Sequence, residues 1–208
     1  MEMQVDFSTL TKEVKIDILP PKNTLIFKLL QEVKPIEDAK VLEIGIGNTE
    51  HLPFIFQKNK GILYFGADSS ELLIHEALSN HALKVKEGQA QFIKTGGDEK
   101  LDFGDGFFDC CFTANTLYFW ADPILNFMEI YRVLKPGGKF DLAIVEKKSG
   151  GHLPWIQIDF TFYKTDEVKT FFQKAGFVNI EVKKVMEEIT DKDGQKITRP
   201  FVIISGQK

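Results

Sequence analysis

Two glycines, Gly45 and Gly47, interrupt the stretch Val41-Leu42-Glu43-Ile44-Gly45-Ile46-Gly47-Asn48-Thr49-Glu50, and Asp68 closes the next apolar run, Ile62-Leu63-Tyr64-Phe65-Gly66-Ala67-Asp68. A buried strand that breaks into a glycine turn before a helix brings main chain close to a ligand, and a carboxylate about 20 residues further on reaches a ribose diol. The pairing marks a nucleoside-containing cofactor. A dinucleotide fingerprint needs a further glycine three places after Gly47, where helix and strand pack closely, and Glu50 stands there instead. Pyrophosphate would face that carboxylate, so a nucleoside carrying an amino acid in place of diphosphate suits the turn better. S-adenosylmethionine is the common compound of that description.

These residues need a scaffold, and the rest of the chain spells one out. From Val41 onward, short apolar runs alternate with amphipathic segments, the pattern of βαβ units on a parallel sheet. Strands are expected at about 40–45, 62–68, 90–95, 108–114 and 139–146. After the fourth, Asp122 can cap a helix, Pro123 suits its first turn, and Lys135-Pro136-Gly137-Gly138 stops it. Its core face is expected at Ile124, Leu125, Met128, Ile130 and Tyr131. Thr165-Asp166-Glu167 opens another helix that buries Val168, Phe171, Phe172 and Ala175 and ends at Gly176. Beyond it, Val178, Ile180 and Val182 alternate with polar residues, Asp193-Gly194 supplies a hairpin turn, and Phe201 to Ile204 returns antiparallel, starting after Pro200 because proline cannot donate within a central ladder.

Composition narrows the function classes. The chain has 208 residues, enough for one domain with an appended lid, and 19 phenylalanines give it bulk for a core. Net charge is −4 with Lys and Arg scattered among Asp and Glu, so the basic footprint of a nucleic-acid binder is missing and a polyanionic substrate is disfavoured. Cys110 and Cys111, adjacent in a strand-like run, point to opposite faces and make no disulfide framework. The histidines His51, His75, His81 and His152 add no metal-ligand spacing, so no metal is expected. With no signal peptide and no apolar stretch long enough to span a bilayer, the expectation is a cytoplasmic protein without a membrane partner.

Four segments together resemble the class I S-adenosylmethionine-dependent methyltransferases, most closely the small bacterial enzymes with the ubiquinone/menaquinone-biosynthesis type of domain. They are Val41 to Leu52, Tyr64 to Leu72, Leu101 to Pro123, and Glu129-Ile130-Tyr131-Arg132-Val133-Leu134-Lys135-Pro136-Gly137-Gly138-Lys139, which is the most distinctive. They span about half the chain in the expected order, and Ala175-Gly176-Phe177 also fits. The resemblance implies an α/β, Rossmann-like three-layer sandwich whose seven-stranded, mostly parallel sheet ends in an antiparallel C-terminal hairpin strand inserted between the fifth and sixth. It implies one domain over 1–208: an N-terminal lid or helical extension at 1–39, a cofactor-binding core at 40–146, and an acceptor-side segment, helix and hairpin at 147–208.

It also implies S-adenosylmethionine as cofactor, S-adenosylhomocysteine as product, and a site across the carboxyl ends of the first, second and fourth strands. Gly45 and Gly47 let the main chain pass close to the methionine portion, Glu43 helps hold its ammonium, and Asn48 or Thr49 caps the next helix, whose amide dipole attracts the carboxylate. Asp68 accepts from the ribose hydroxyls. Ser69 and Leu72 follow it, Leu72 against one face of the adenine. Asn115, Leu117 and Tyr118 reach the carboxyl edge, while Phe119 is expected to pack the following helix.

Two positions depart from the family pattern. Thr49 stands where a third glycine is usual, and Gly97 stands in the register of an adenine-binding aspartate, a contact that Asp98 makes if the loop shifts by one residue. Nucleic-acid base methylation is not expected, since the segment after Asn115 lacks the paired prolines of amino-methylating DNA enzymes. The expected acceptor is a small apolar or aromatic molecule under a lid of 1–24 and 147–164, where Trp155, Ile156, Phe160, Phe162 and Tyr163 supply apolar surface, bury the lid against the core or pack against a second subunit of a homodimer. Tyr118, His152 and Tyr163 are the candidate bases for an acceptor that must lose a proton. The alternatives are a module that binds the cofactor without transfer, and a nicotinamide-dependent oxidoreductase, which Glu50 and the terminal hairpin argue against.

Overall fold

The computed structural model describes residues 25–34, 37–58, 61–96, 100–145, 161–190 and 196–208. Seven strands, β1 (Lys40–Ile44), β2 (Leu63–Asp68), β3 (Ala90–Lys94), β4 (Phe108–Ala114), β5 (Leu134–Ile144), β6 (Val178–Thr190) and β7 (Lys196–Gln207), form one sheet in the order β3-β2-β1-β4-β5-β7-β6. Pairs among β1 to β5 are parallel, whereas β7 runs antiparallel to both β5 and β6. Helices α1 (Leu25–Glu32), α2 (Leu52–Lys58) and α3 (Glu71–Asn80) bury apolar residues on one face of the sheet. A short α4 (Ala82–Lys86) follows α3, and α5 (Pro123–Val133) and α6 (Thr165–Ala175) pack the other face. This is the three-layer arrangement that the sequence implies. Successive residues of β4 feed opposite layers, so Cys110 lies in one core and Cys111 in the other; both thiols are free, and burial pushes Cys110 up to about 12.

The structure corrects several local expectations. On α5 the cap is as expected, with the Leu125 amide donating to Asp122 Oδ1 at 3.1 Å. The buried stripe, however, is Phe127, Ile130 and Val133, while Leu125 and Met128 are more than half exposed. Two stripes at helical spacing coexist on this helix, and the sheet and α6 select the one that carries Phe127, which meets Phe140 and Phe172 edge-on. Strand β5 begins five residues earlier than expected. Its register against β4 shifts between Phe108 and Cys110, so that Pro136-Gly137-Gly138 bulges out between Leu134 and Lys139.

Strand β7 likewise starts ahead of Pro200, which pairs with Met186 of β6 but lies beyond the last β5 pair, Ile144 with Val202. A ladder needed on one side only tolerates the missing donor. On the edge strand β6 the register slips between Val178 and Glu181, with Asn179 at φ +50°, and Val178 and Val182 are left exposed. The hairpin turn at Asp193-Gly194 lies outside the described residues.

The distinctive Glu129 to Lys139 segment has a physical explanation. Arg132 donates to the carbonyls of Leu101 and Phe103 at 3.1 and 2.8 Å, to Asp105 at 2.7 Å, and to both oxygens of Glu129 at 2.6 and 2.8 Å. Glu129 in turn accepts from the Leu101 amide at 2.8 Å. One helical turn thus fixes the chain that enters β4, and the paired carboxylates raise the Arg132 guanidinium above its ordinary value.

Candidate functional site

Strand β1 is followed by three left-handed positions at alternate residues, Gly45 at φ +75°, Gly47 at +55° and Thr49 at +58°. At Gly45 a side chain is excluded twice, by the dihedral and because a Cβ would sit 2.1 Å from Thr116 Cγ2. Thr116 belongs to the turn after β4, so the close approach binds the two strand ends together. Thr113 Oγ1 adds a 2.6 Å bond to the Ile44 carbonyl.

Asp68 completes the turn from β2. Its Oδ2 accepts the Ile46 amide at 3.0 Å and its Oδ1 the Ser70 amide at 2.8 Å, so the carboxylate is held in one orientation and keeps lone pairs for a further donor. Ser70 caps α3 through the Leu73 amide at 3.3 Å. Leu72 is 66% exposed on the first turn of that helix, an apolar side chain standing over open surface.

A cleft of about 280 Å³ opens beside the turn, lined by Leu25, Ile26, Glu43, Gly45, Ile46, Gly47, Asn48, His51, Ala114 and Asn115. Of the residues expected at the site, Glu43, Gly45, Gly47, Asn48 and Asn115 meet in it. Asn115 takes φ +59° as the chain turns out of β4, and its amide bonds the Ala143 carbonyl at 2.9 Å.

Other expected residues are placed differently. Thr49 is buried and turns its hydroxyl to His81 Nε2 at 2.9 Å rather than capping α2, and burial pushes the His81 imidazole down. Leu117 is fully enclosed in the core beneath the 3₁₀ turn Leu117–Phe119 and presents no surface to the cleft. Phe119, expected to pack the next helix, is 65% exposed, and Trp120 packs against Phe127 of that helix. Tyr118 is buried with its hydroxyl 2.6 Å from the Val145 amide, and its carbonyl accepts the Thr161 amide at 3.3 Å. The phenol therefore secures the end of β5. Tyr163 leans edge-on against Phe171 of α6, and partial burial raises its phenol. Asp98, His152, Trp155, Ile156 and Phe160 lie outside the described residues.

Sequence reasoning missed two neighbours of Glu43. Its Oε2 takes a bond from Tyr64 Oη at 2.5 Å and one from His51 Nε2 at 2.8 Å, and all three side chains are buried. Desolvation, followed by the Glu43 charge, raises the Tyr64 phenol well above its ordinary value, so it remains a donor. Separations of 8 and 21 residues carry no periodic signal, which is why the cluster was not visible in the chain. Among the described residues, no group of His, Cys, Asp and Glu could hold a metal, and no helix is long and apolar enough to cross a membrane.

The chain can now be set beside known proteins. A family profile described as a methyltransferase domain matches residues 42–142. The tRNA U34 carboxymethyltransferase of Vibrio cholerae is 23% identical over 179 residues, covering 82% of this chain and 54% of that protein, so the chain spans about half the length of this relative. The methyltransferase YdaC of Bacillus subtilis is 24% identical over 159 residues, 72% of this chain and 78% of its own. Among solved structures, a chain from the complex of the Haloferax volcanii Trm112 methyltransferase activator with a methyltransferase superposes with a TM-score of 0.71 at 21% identity, covering 88% of each chain.

Proposed function

The chain belongs to the class I S-adenosylmethionine-dependent methyltransferase family, and we propose that it carries a methyl group from that cofactor to a small-molecule acceptor. The observation that carries the reading is the left-handed glycine turn of β1 set against the fixed Asp68 carboxylate of β2. In this reading Asp68 receives the ribose hydroxyls, Glu43 the amino-acid ammonium, and Gly45 and Gly47 pass the methionine portion, with Leu72 against the adenine. When bound, the cofactor supplies an electrophilic methyl on a positive sulfur.

The chain's own part is positioning, which accounts for much of the acceleration in an in-line displacement. Leu25 and Ile26 of α1 supply the apolar part of the cleft wall, beside the polar Glu43, Asn48, His51 and Asn115. Asn115 stands at the carboxyl edge where the acceptor approaches.

A small acceptor is favoured because the net charge is −4 and Lys and Arg are scattered among Asp and Glu. The basic footprint that a polyanionic acceptor calls for is missing from that composition. A tRNA acceptor is the second reading, favoured by the similarity to the V. cholerae tRNA enzyme. Incubation with methyl-labelled S-adenosylmethionine and either a panel of phenols, thiols and hydroquinones or bulk tRNA separates the two. Label in an organic extract supports the small-molecule reading, and label confined to RNA or protein overturns it. Tight binding of S-adenosylhomocysteine without turnover on either substrate set would mark a binding module instead.

A further inference from the structure

The Glu43 carboxylate is held asymmetrically. Both of its donors, Tyr64 Oη and His51 Nε2, converge on Oε2. Among the described residues, Oε1 has no hydrogen-bond partner, and neither has His51 Nδ1. Glu43 is 1% and His51 4% exposed, yet both line the cleft. A buried carboxylate oxygen without a protein donor is costly, and a ligand that brings a charged donor relieves that cost.

The sheet is built to permit this arrangement. Glu43 pairs with Gly66 of β2, and Tyr64 lies two residues earlier on the same face, so its ring must extend past position 66 to reach the carboxylate. A Cβ at Gly66 would meet Tyr64 Oη at 2.9 Å and Ile46 Cγ2 at 2.7 Å. Gly66 therefore clears the path of the phenol. His51 arrives from the other side, at the entrance to α2, with its ring edge-on to Phe112 at 6.5 Å between centroids.

We propose that Tyr64 and His51 are positioning residues that lock Glu43 with one oxygen free, making the cleft selective for a nucleoside that carries a primary ammonium on its thioether arm. The inference rests on the proposed cofactor reading and deepens it. Asp68 recognises the sugar of any adenosine compound, whereas the Tyr64-Glu43-His51 cluster distinguishes the amino-acid arm.

Titration calorimetry with two ligands tests the assignment: S-adenosylhomocysteine, which has the ammonium, and 5′-methylthioadenosine, which lacks the amino-acid arm. Tyr64→Phe and His51→Leu are each expected to weaken the first by about tenfold, because a carboxylate released from one side of its clamp no longer presents its free oxygen to the ammonium, and to leave the second within about twofold. His51→Gln, which retains a donor, should restore part of the difference. Equal affinity ratios in wild type, Tyr64→Phe and His51→Leu would overturn the clamp while leaving the cofactor reading intact. Failure of the wild-type protein to bind either compound would overturn the cofactor reading, and the clamp with it. Uniform weakening of both ligands would show that the cluster only supports the fold, and would also overturn the proposal.

Discussion

Replacing Asp68 with asparagine removes one oxygen from a carboxylate that serves the protein and the expected ligand at once. In the protein, one oxygen accepts the Ile46 amide and the other the Ser70 amide. Asparagine offers one acceptor and a two-proton donor, so one of those amides must face another N–H. Asp68 is only half-buried, and water can partly compensate, which keeps the folding cost to about 1–2 kcal/mol. At this chain length that lowers the melting temperature by roughly 2–8 °C.

The loss in binding is larger. Two ribose hydroxyls donating to a charged acceptor contribute about 1.5–3 kcal/mol each, and a neutral amide keeps one weaker bond. The net loss is about 2–4 kcal/mol, or roughly 30- to 800-fold in Kd. Calorimetry with S-adenosylhomocysteine measures the binding term and a thermal melt the folding term, on the same preparation. An Asp68→Asn protein with a native melt and an affinity within about threefold of wild type would refute the assignment of Asp68 to the sugar.

Arg132→Lys keeps the charge but cannot reproduce the five-donor fork on Leu101, Phe103, Asp105 and Glu129, and urea unfolding should report a loss of about 2–3 kcal/mol; less than about 1 kcal/mol would mean that the loop is held by something else. Gly45→Ala meets Thr116 at 2.1 Å and should cost about 3 kcal/mol or more, whereas Gly47→Ala meets nothing within 4 Å and should cost only the left-handed strain, about 1–2 kcal/mol; equal losses in denaturant titrations would contradict the geometry. Burial in the sheet raises the Asp141 carboxyl, despite a bond from Ser205, so the folded state holds that proton more tightly than the unfolded state. Stability from this group is therefore present in acid and lost as pH rises through the folded value. Asp141→Asn should raise the melting temperature near neutral pH and change it little at about pH 3, below the unfolded carboxyl's value, and a pH-independent difference would reject the argument.

Much of this architecture is legible in the chain because it is written in local signals. The strands β1 to β4, the Asp122 cap and the stop at Gly176 each depend on a few neighbouring residues whose backbone preferences are strong. What was not legible depends on partners distant in sequence. Leu125 and Met128 share the helical spacing of Phe127, Ile130 and Val133, and only the position of β5 and α6 decides which set is covered. The direction of Leu117 is set within the short 3₁₀ segment after β4, where neither helix nor strand periodicity applies. At the site, the glycine turn and Asp68 form a recurrent local pattern, while the Tyr64-Glu43-His51 cluster needs the β1–β2 register before its members can be seen to meet.

The two bonds at Tyr118 work as a rivet. Its hydroxyl accepts the Val145 amide at the end of β5 and its carbonyl accepts the Thr161 amide ahead of α6, so two points distant in sequence share one anchor on the 3₁₀ turn. Any shift of that turn is therefore felt at both points together, and neither can drift without tugging the other.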